Sequence, residues 1–297
     1  MNAMQNAIDR FSSAMHAAGI VPPDGIKCDG RIHRFHVEGD KAGSLNGWYL
    51  LHLDGRPAGA FGSWKLGIQS TWTAGGLPLS ASERASISNR LAIARVQAEF
   101  ERRVQHEAAA ALAQAEWSKA EQANPTHAYL LKKEVQPYNL RQHQNTLLVP
   151  LLDPLGLLWN VQRILPDGAK LFSKGARAGG LFSPIGDLTT PRTILICEGW
   201  ATGATLHEES GYPVLCAMNA GNLLPVAKAA RKAWPAAELL VCADNDRNTP
   251  GNPGLTKATE AAKAVGAKLT VPQFPDCAPG SDFNDLALLR RKGGRHA

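Results

Sequence analysis

Two stretches decide the fold: Thr-Ile-Leu-Ile-Cys-Glu-Gly at residues 193–199 and Leu-Leu-Val-Cys-Ala-Asp-Asn-Asp at residues 239–246. Each is a short apolar run of buried-strand type that stops at an acidic residue. The first passes at once through Glu198-Gly199 into the helix-compatible segment 201–206, which reads as a strand entering a helix through a tight turn. The second ends in Asp244 and Asp246, followed by a loop at 249–254 and a helix from Leu255. Ligands of open parallel sheets bind beyond the carboxyl ends of the strands, so Glu198, Asp244 and Asp246 are expected to converge there. Carboxylates gathered in this way repel one another. A hard divalent cation relieves the repulsion, and Mg²⁺ keeps positions open for phosphate oxygens.

From residue 193 onward strand and helix patterns alternate. Strands are predicted at 193–197, 213–218, 238–243 and 268–271, and helices at about 201–210, 222–233, 255–265 and 282–291. The fold class that follows is α/β, a mainly parallel sheet with helices on both faces over 193–297. The segment Gly-Ser-Asp-Phe-Asn-Asp-Leu at 280–286 opens the last helix. Asp282 suits an N-cap, and Asp285 is a candidate outer metal ligand.

Upstream, residues 124–192 carry eight basic and four acidic side chains, which is four of the six surplus positive charges of the whole chain. A short helix at 127–133 leads to a predicted hairpin, 146–152 and 157–165, and then to a glycine-rich cationic segment, 166–180. Two readings of that segment stand side by side: a flexible surface loop, or a phosphate or template contact supplied by Arg163, Lys170, Lys174 and Arg177.

Residues 80–123 read as a long connecting helix with an apolar stripe at Ile93, Val96, Phe100, Val104, Ala108 and Leu112 and balanced charge, six basic against six acidic. Residues 1–79 read as a small α+β domain: a short helix through Ala7, Phe11 and Met15, then an antiparallel unit with runs at 31–37, 47–53 and 58–64. Cys28, His33, His36 and His52 fit no common zinc spacing, so zinc is not expected. The five cysteines form no Cys-x-x-Cys pair and read as reduced core thiols. No apolar run approaches membrane-spanning length and residues 1–10 lack a signal-peptide pattern, so a cytoplasmic protein without membrane attachment is expected.

Glu-Gly at one strand end followed by Asp-x-Asp at a later one resembles the Toprim domain of topoisomerases, bacterial replicative primases and some nucleases. The longer run Glu198-Gly199-Trp200-Ala201-Thr202-Gly203 is similar to the Glu-Gly-Tyr-Ala-Thr-Gly motif of satellite-phage alpha-type and conjugative-plasmid primases, with Trp200 in place of Tyr. Residues 127–135 resemble their His-Pro-Tyr-Leu-x-x-Lys-x-Val element, which carries Lys133 into the comparison; Ala128 stands in place of Pro. Segments 162–172, 243–246 and 282–286 resemble further elements of that family.

The resemblance implies RNA primer synthesis on a single-stranded DNA template from ribonucleoside triphosphates. Glu198, Asp244 and Asp246 would hold Mg²⁺ or Mn²⁺, with Asp285 as an outer ligand. Arg163, Lys170, Lys174, Arg177 and Lys133 would contact nucleotide or nucleic acid, and Trp200 would stack on a base or pack beneath the site. The chain contains no P-loop motif, so a separate replicative helicase is the expected partner. Two rivals share the same residues: a metal-dependent nuclease, and a noncatalytic single-stranded-DNA-binding accessory protein.

Overall fold

The structure, a computed structural model, describes residues 3–40, 43–75, 81–276 and 278–294. The expectation for Cys277 as a core thiol lies outside the described residues. The chain divides into two units, Met1–Arg102 and Arg103–Ala297.

In the first unit a helix, α1 (Ala3–Ala17), covers a four-stranded antiparallel sheet of β1 (His33–Phe35), β2 (Gly47–His52), β3 (Ala58–Ser63) and β4 (Ile68–Thr73), in that order. Phe11 and Met15 of α1 are fully buried with Tyr49, Leu51 and Phe61. Phe11 makes edge contacts with Tyr49, Phe61 and Trp72. Gly59 admits this ring: a Cβ there would sit 2.8 Å from Phe11 Cε2. The sequence pattern missed β4, whose Ile-Gln-Ser-Thr-Trp-Thr is half exposed along its length and shows no clean apolar alternation.

Helix α2 (Ala81–Lys119) crosses the division between the units. The stripe read from its sequence is not its buried face. Ile93, Val96, Phe100, Val104 and Leu112 are 47–74% exposed. The C-terminal part instead buries the small residues Ala110 and Ala113. Small side chains give no amphipathic signal of their own, so helical periodicity pointed to the wrong face.

The second unit contains two sheets. Strands β5 (Glu121–Gln122), β6 (Arg141–His143), β7 (Thr146–Leu152), β8 (Leu158–Ile164) and β9 (Lys170–Phe172) form an antiparallel meander, with helix α3 (Ala128–Lys133) between β5 and β6. The cationic segment is therefore partly a strand, paired in register with β8. The other sheet runs β10 (Ser183–Ile185), β12 (Val214–Cys216), β11 (Thr193–Cys197), β13 (Glu238–Cys242) and β14 (Lys268–Thr270), parallel except for β10. Its helices are α4 (Trp200–Ser210), α5 (Leu223–Ala233), α6 (Pro253–Val265) and α7 (Phe283–Gly294).

Alternation along β11 explains the layers. Ile194 and Ile196 pack with α5 and α6 residues such as Val226, Ala230, Ala258 and Ala261. Leu195 and Cys197 face the other way, toward Trp200 and Ala204 of α4 and toward Leu147, Val149 and Ile164 of the antiparallel sheet. The two sheets meet directly where Leu152 pairs with Phe182. Among the described residues no helix is long and apolar enough to cross a membrane.

Candidate metal centre

The parallel ladder pairs Cys197 with Cys242. Glu198 follows one residue beyond that row, Asp244 two residues beyond and Asp246 four beyond, so 45 residues of sequence collapse to adjacent strand ends. Gly199 then turns the chain into α4. The last glycine of that run, Gly203, lies where a Cβ would drive into the Cys216 sulfur and stand 3.2 Å from that of Cys197. Glycine here lets α4 seat on β11 and β12 close behind Glu198.

The Asp244–Asp246 turn is held on two sides. Asp246 Oδ2 accepts the Gly254 N–H at 2.9 Å, at the start of α6. A Cβ on Gly254 would come within 2.8 Å of both the Asp244 carbonyl and Asp246 Oδ2, so only glycine allows this approach. On the other side the Asn245 N–H donates to the Ser281 carbonyl at 2.7 Å, which draws the 280–285 turn to the site.

That turn brings Asp282, not Asp285, into electrostatic contact with the acidic pair. Asp282 caps α7 by accepting the Asp285 N–H at 2.8 Å, and its charge also acts on both Glu198 and Asp244. One residue thus both caps α7 and bears electrostatically on the acidic strand ends. Asp285 is engaged elsewhere: it lies 3.5 Å from the Lys133 ammonium and accepts the Ser281 N–H at 3.2 Å. Lys133, from α3, is the cation beside Asp285, while Asp282 is the carboxylate of this turn whose charge reaches Glu198 and Asp244.

Burial, first, and then the charges of Glu198, Asp282 and Asp246 push the Asp244 carboxyl up to about 8, with Lys170 pulling the other way. Glu198 is raised as well, by burial and then by Asp246, against the Ala220 backbone N–H and Lys170. Asp244 Oδ1 is buried without a hydrogen-bond partner. An orphaned carboxylate oxygen among three further carboxylates is the donor chemistry of a hard divalent cation. Among the described residues, no three Asp, Glu, His or Cys side chains are already gathered around one point.

The predicted cations separate by strand face. Lys170 stands opposite Ile164, on the side of β8 and β9 that faces the parallel sheet, and its charge reaches Glu198 and Asp244. Arg163, one residue before Ile164, points to the opposite side by the two-residue period. There its guanidinium grips the Glu116 carboxylate of α2 through two nitrogens and also reaches Ser173 at 3.1 Å. Arg177 lies 5.0 Å over the Trp159 ring, at the register shift of β8. Lys174 is exposed in the turn after β9.

The segment is anchored at its far end rather than loose. Asn160 donates to the Arg177 carbonyl at 2.9 Å, and the Gly180 N–H donates to Asn222 Oδ1 at 2.8 Å. Trp200 is 1% exposed, and its indole N–H approaches Asn139 Oδ1 at 3.5 Å. As the first residue of α4 it is turned inward between the sheets, so packing is its role and base stacking is not open to it.

Sequence reasoning left out Gly254, Asn222, Asn284 and the hydroxyl of Tyr129. Only Gly254 had a signal, the Asn-Pro-Gly run of a turn entering a helix. A cleft of about 610 Å³ between the sheets, lined by Trp117, Tyr138, Pro150, Leu152, Leu158 and Ile185, contains none of the acidic residues. Concavity alone would have missed the carboxylate cluster.

Residues 193–294 match the family model described as the Toprim domain. The chain is 36% identical over 288 residues to a DNA primase TraC of Escherichia coli, which covers 92% of this chain and 27% of that protein. A second Escherichia coli DNA primase TraC is 35% identical over 285 residues, 90% of this chain and 19% of the relative. The chain thus spans about a quarter or less of the length of these relatives. Among solved structures, a DnaG primase catalytic domain bound to single-stranded DNA is similar with a TM-score of 0.44 at 15% identity, over 65% of this chain and 77% of that one. The primase fragment of the bacteriophage T7 primase-helicase protein gives 0.43 at 14%, over 60% and 78%.

Proposed function

We propose that this chain, which carries a Toprim domain over residues 193–294 and is 36% identical across 92% of its length to a DNA primase, is the catalytic core of a primase that makes short RNA primers on single-stranded DNA. The observation that carries the reading is the group of carboxylates: three acids beyond the ends of two adjacent parallel strands and a fourth from the turn before α7, with one buried oxygen unpartnered.

Toprim domains generally bind divalent metal ions. In this reading Glu198, Asp244, Asp246 and Asp282 would hold Mg²⁺ or Mn²⁺. When bound, such an ion neutralises triphosphate charge and favours in-line attack by a primer 3′-hydroxyl. The protein's own groups do the rest. Lys170, on the acid-facing side of β9, receives the triphosphate and offsets the negative charge of the cluster. Lys174, exposed in the next turn, supports the template backbone. The hydrogen bond from Gly254 to Asp246 fixes the Asp244–Asp246 turn before substrate arrives, so the carboxylates need little reorganisation. Arg163 and Arg177 take part only through the scaffold, because Glu116 and Trp159 engage them.

The test is incubation with single-stranded DNA, labelled ribonucleoside triphosphates and Mg²⁺ or Mn²⁺. New oligoribonucleotides are expected. Shortened template would instead establish the nuclease, and retention of DNA without either product would establish an accessory binder.

A further inference from the structure

The element at residues 127–135, whose Lys133 the resemblance places at nucleotide or nucleic acid, packs instead against the turn that delivers Asp282. Tyr129 and Lys133 lie four residues apart on α3 and so share one side of that helix. Three links tie this side to the start of α7. The Lys133 ammonium lies 3.5 Å from Asp285 Oδ1, and the Lys133 carbonyl accepts from Asn284 Nδ2 at 2.8 Å. Asn284 is fully buried, and the same amide donates to Thr205 Oγ1 of α4 at 2.9 Å. The third link is electrostatic: Tyr129 is buried, and among carboxylates it is the charge of Asp282 that acts on its phenol.

The path from Lys133 to the acid site is continuous. Asp285, held by Lys133, accepts the Ser281 N–H through one oxygen and donates its own N–H to Asp282 Oδ1 at 2.8 Å. Ser281 in turn accepts the Asn245 N–H, between the two aspartates of the other strand end. The Tyr129 hydroxyl is buried with no hydrogen-bond partner. Phenylalanine would fill the same space without that penalty, so the hydroxyl calls for an explanation.

We propose that Tyr129 and Lys133 are positioning residues for Asp282: Lys133 holds its turn through Asp285, and the Tyr129 hydroxyl donates to the Asp282 carboxylate when a divalent cation gathers the acidic cluster. The proposal rests on the metal-centre reading above. It gives the Tyr-x-x-x-Lys spacing a physical reason, since residues four apart on a helix share one side and so address the same turn. Residues that hold a metal ligand in this way orient it without touching the ion, and their loss typically lowers metal affinity about 10- to 100-fold.

The experiment is calorimetric titration of the whole chain with MnCl₂, alongside KM for ribonucleotide and the metal-free melting temperature. Tyr129→Phe and Lys133→Met are expected to weaken Mn²⁺ binding about 10-fold or more with KM unchanged, and Lys133→Arg to restore most of the loss. If Lys133→Met does not fold, Tyr129→Phe decides alone. Affinities within twofold of the parent for both variants, while Glu198→Gln abolishes binding, would overturn the positioning role and leave the metal centre standing. No Mn²⁺ binding by the parent chain would overturn both. The expected order of affinities without any primer product would support the positioning role and sink the primase reading.

Discussion

Cys197 faces Cys242 across the parallel pair β11–β13, and this register sets Glu198 and Asp244 at neighbouring strand ends. Both thiols are buried and raised, Cys242 to about 12, so the row beneath the acids is uncharged. The carboxylates therefore stand on an apolar floor, and burial leads the causes that raise them.

Stability without metal should fall with rising pH. Asp244 binds its proton more tightly in the folded chain, near 8, than at its ordinary 3.8. The stabilising contribution is full below the lower value and is lost as pH rises through about 8. Melting temperatures from pH 5 to 9 should show this decline, and Asp244→Asn should flatten it. At pH 9 the variant should melt at least about 2 °C higher, the equivalent of roughly 1 kcal/mol in a domain of this size. Mg²⁺ should stabilise the parent chain most at high pH and Asp244→Asn little. A parent profile that rises across this range would exclude the raised carboxyl.

Gly203→Ala should destabilise the chain by about 1–3 kcal/mol, because its Cβ has no room against the sulfurs of Cys216 and Cys197. Cys216→Ala in the same chain should recover part of that loss. Denaturant midpoints of the two single variants and the double variant measure this coupling; additive effects would show that the helix–sheet contact is looser than described.

Arg163 and Lys170 should separate cleanly although both belong to the same basic hairpin. Arg163→Met removes the tie to Glu116 and should cost about 1.5–3 kcal/mol of stability, with Glu116→Gln adding little more. Lys170→Met should leave the melting temperature nearly unchanged and raise KM for ribonucleotide about 10-fold or more. Equal kinetic losses from the two variants would place Arg163 at the substrate after all.

Most of the α/β domain was legible because its strands are short apolar runs with acids at their ends, and its helices carry ordinary start and stop signals. The predicted strand at 193–197 is β11 to the residue, and 238–243 overshoots β13 by one. What stayed hidden depends on distant partners. Nothing local distinguishes Asp282 from any helix cap, because its second role appears only when Asn245 pulls the Ser281 turn to the strand ends. Charge composition singled out Arg163 and Lys170 together, but face is decided by register, and pairing of Ile164 with Lys170 sends the neighbouring arginine to the far side. The stripe on α2 misled for the opposite reason, since helical spacing was present while the buried contacts were made by alanines.

The most direct test is the anomalous diffraction of crystals soaked with Mn²⁺ and a ribonucleoside triphosphate. The expected result is a Mn²⁺ peak roughly 2.1–2.2 Å from oxygens of Glu198 and Asp244, with Asp246 or Asp282 turned toward it and phosphate oxygens completing the shell. A well-occupied peak bound elsewhere, with Asp244 Oδ1 still unpartnered, would contradict the account.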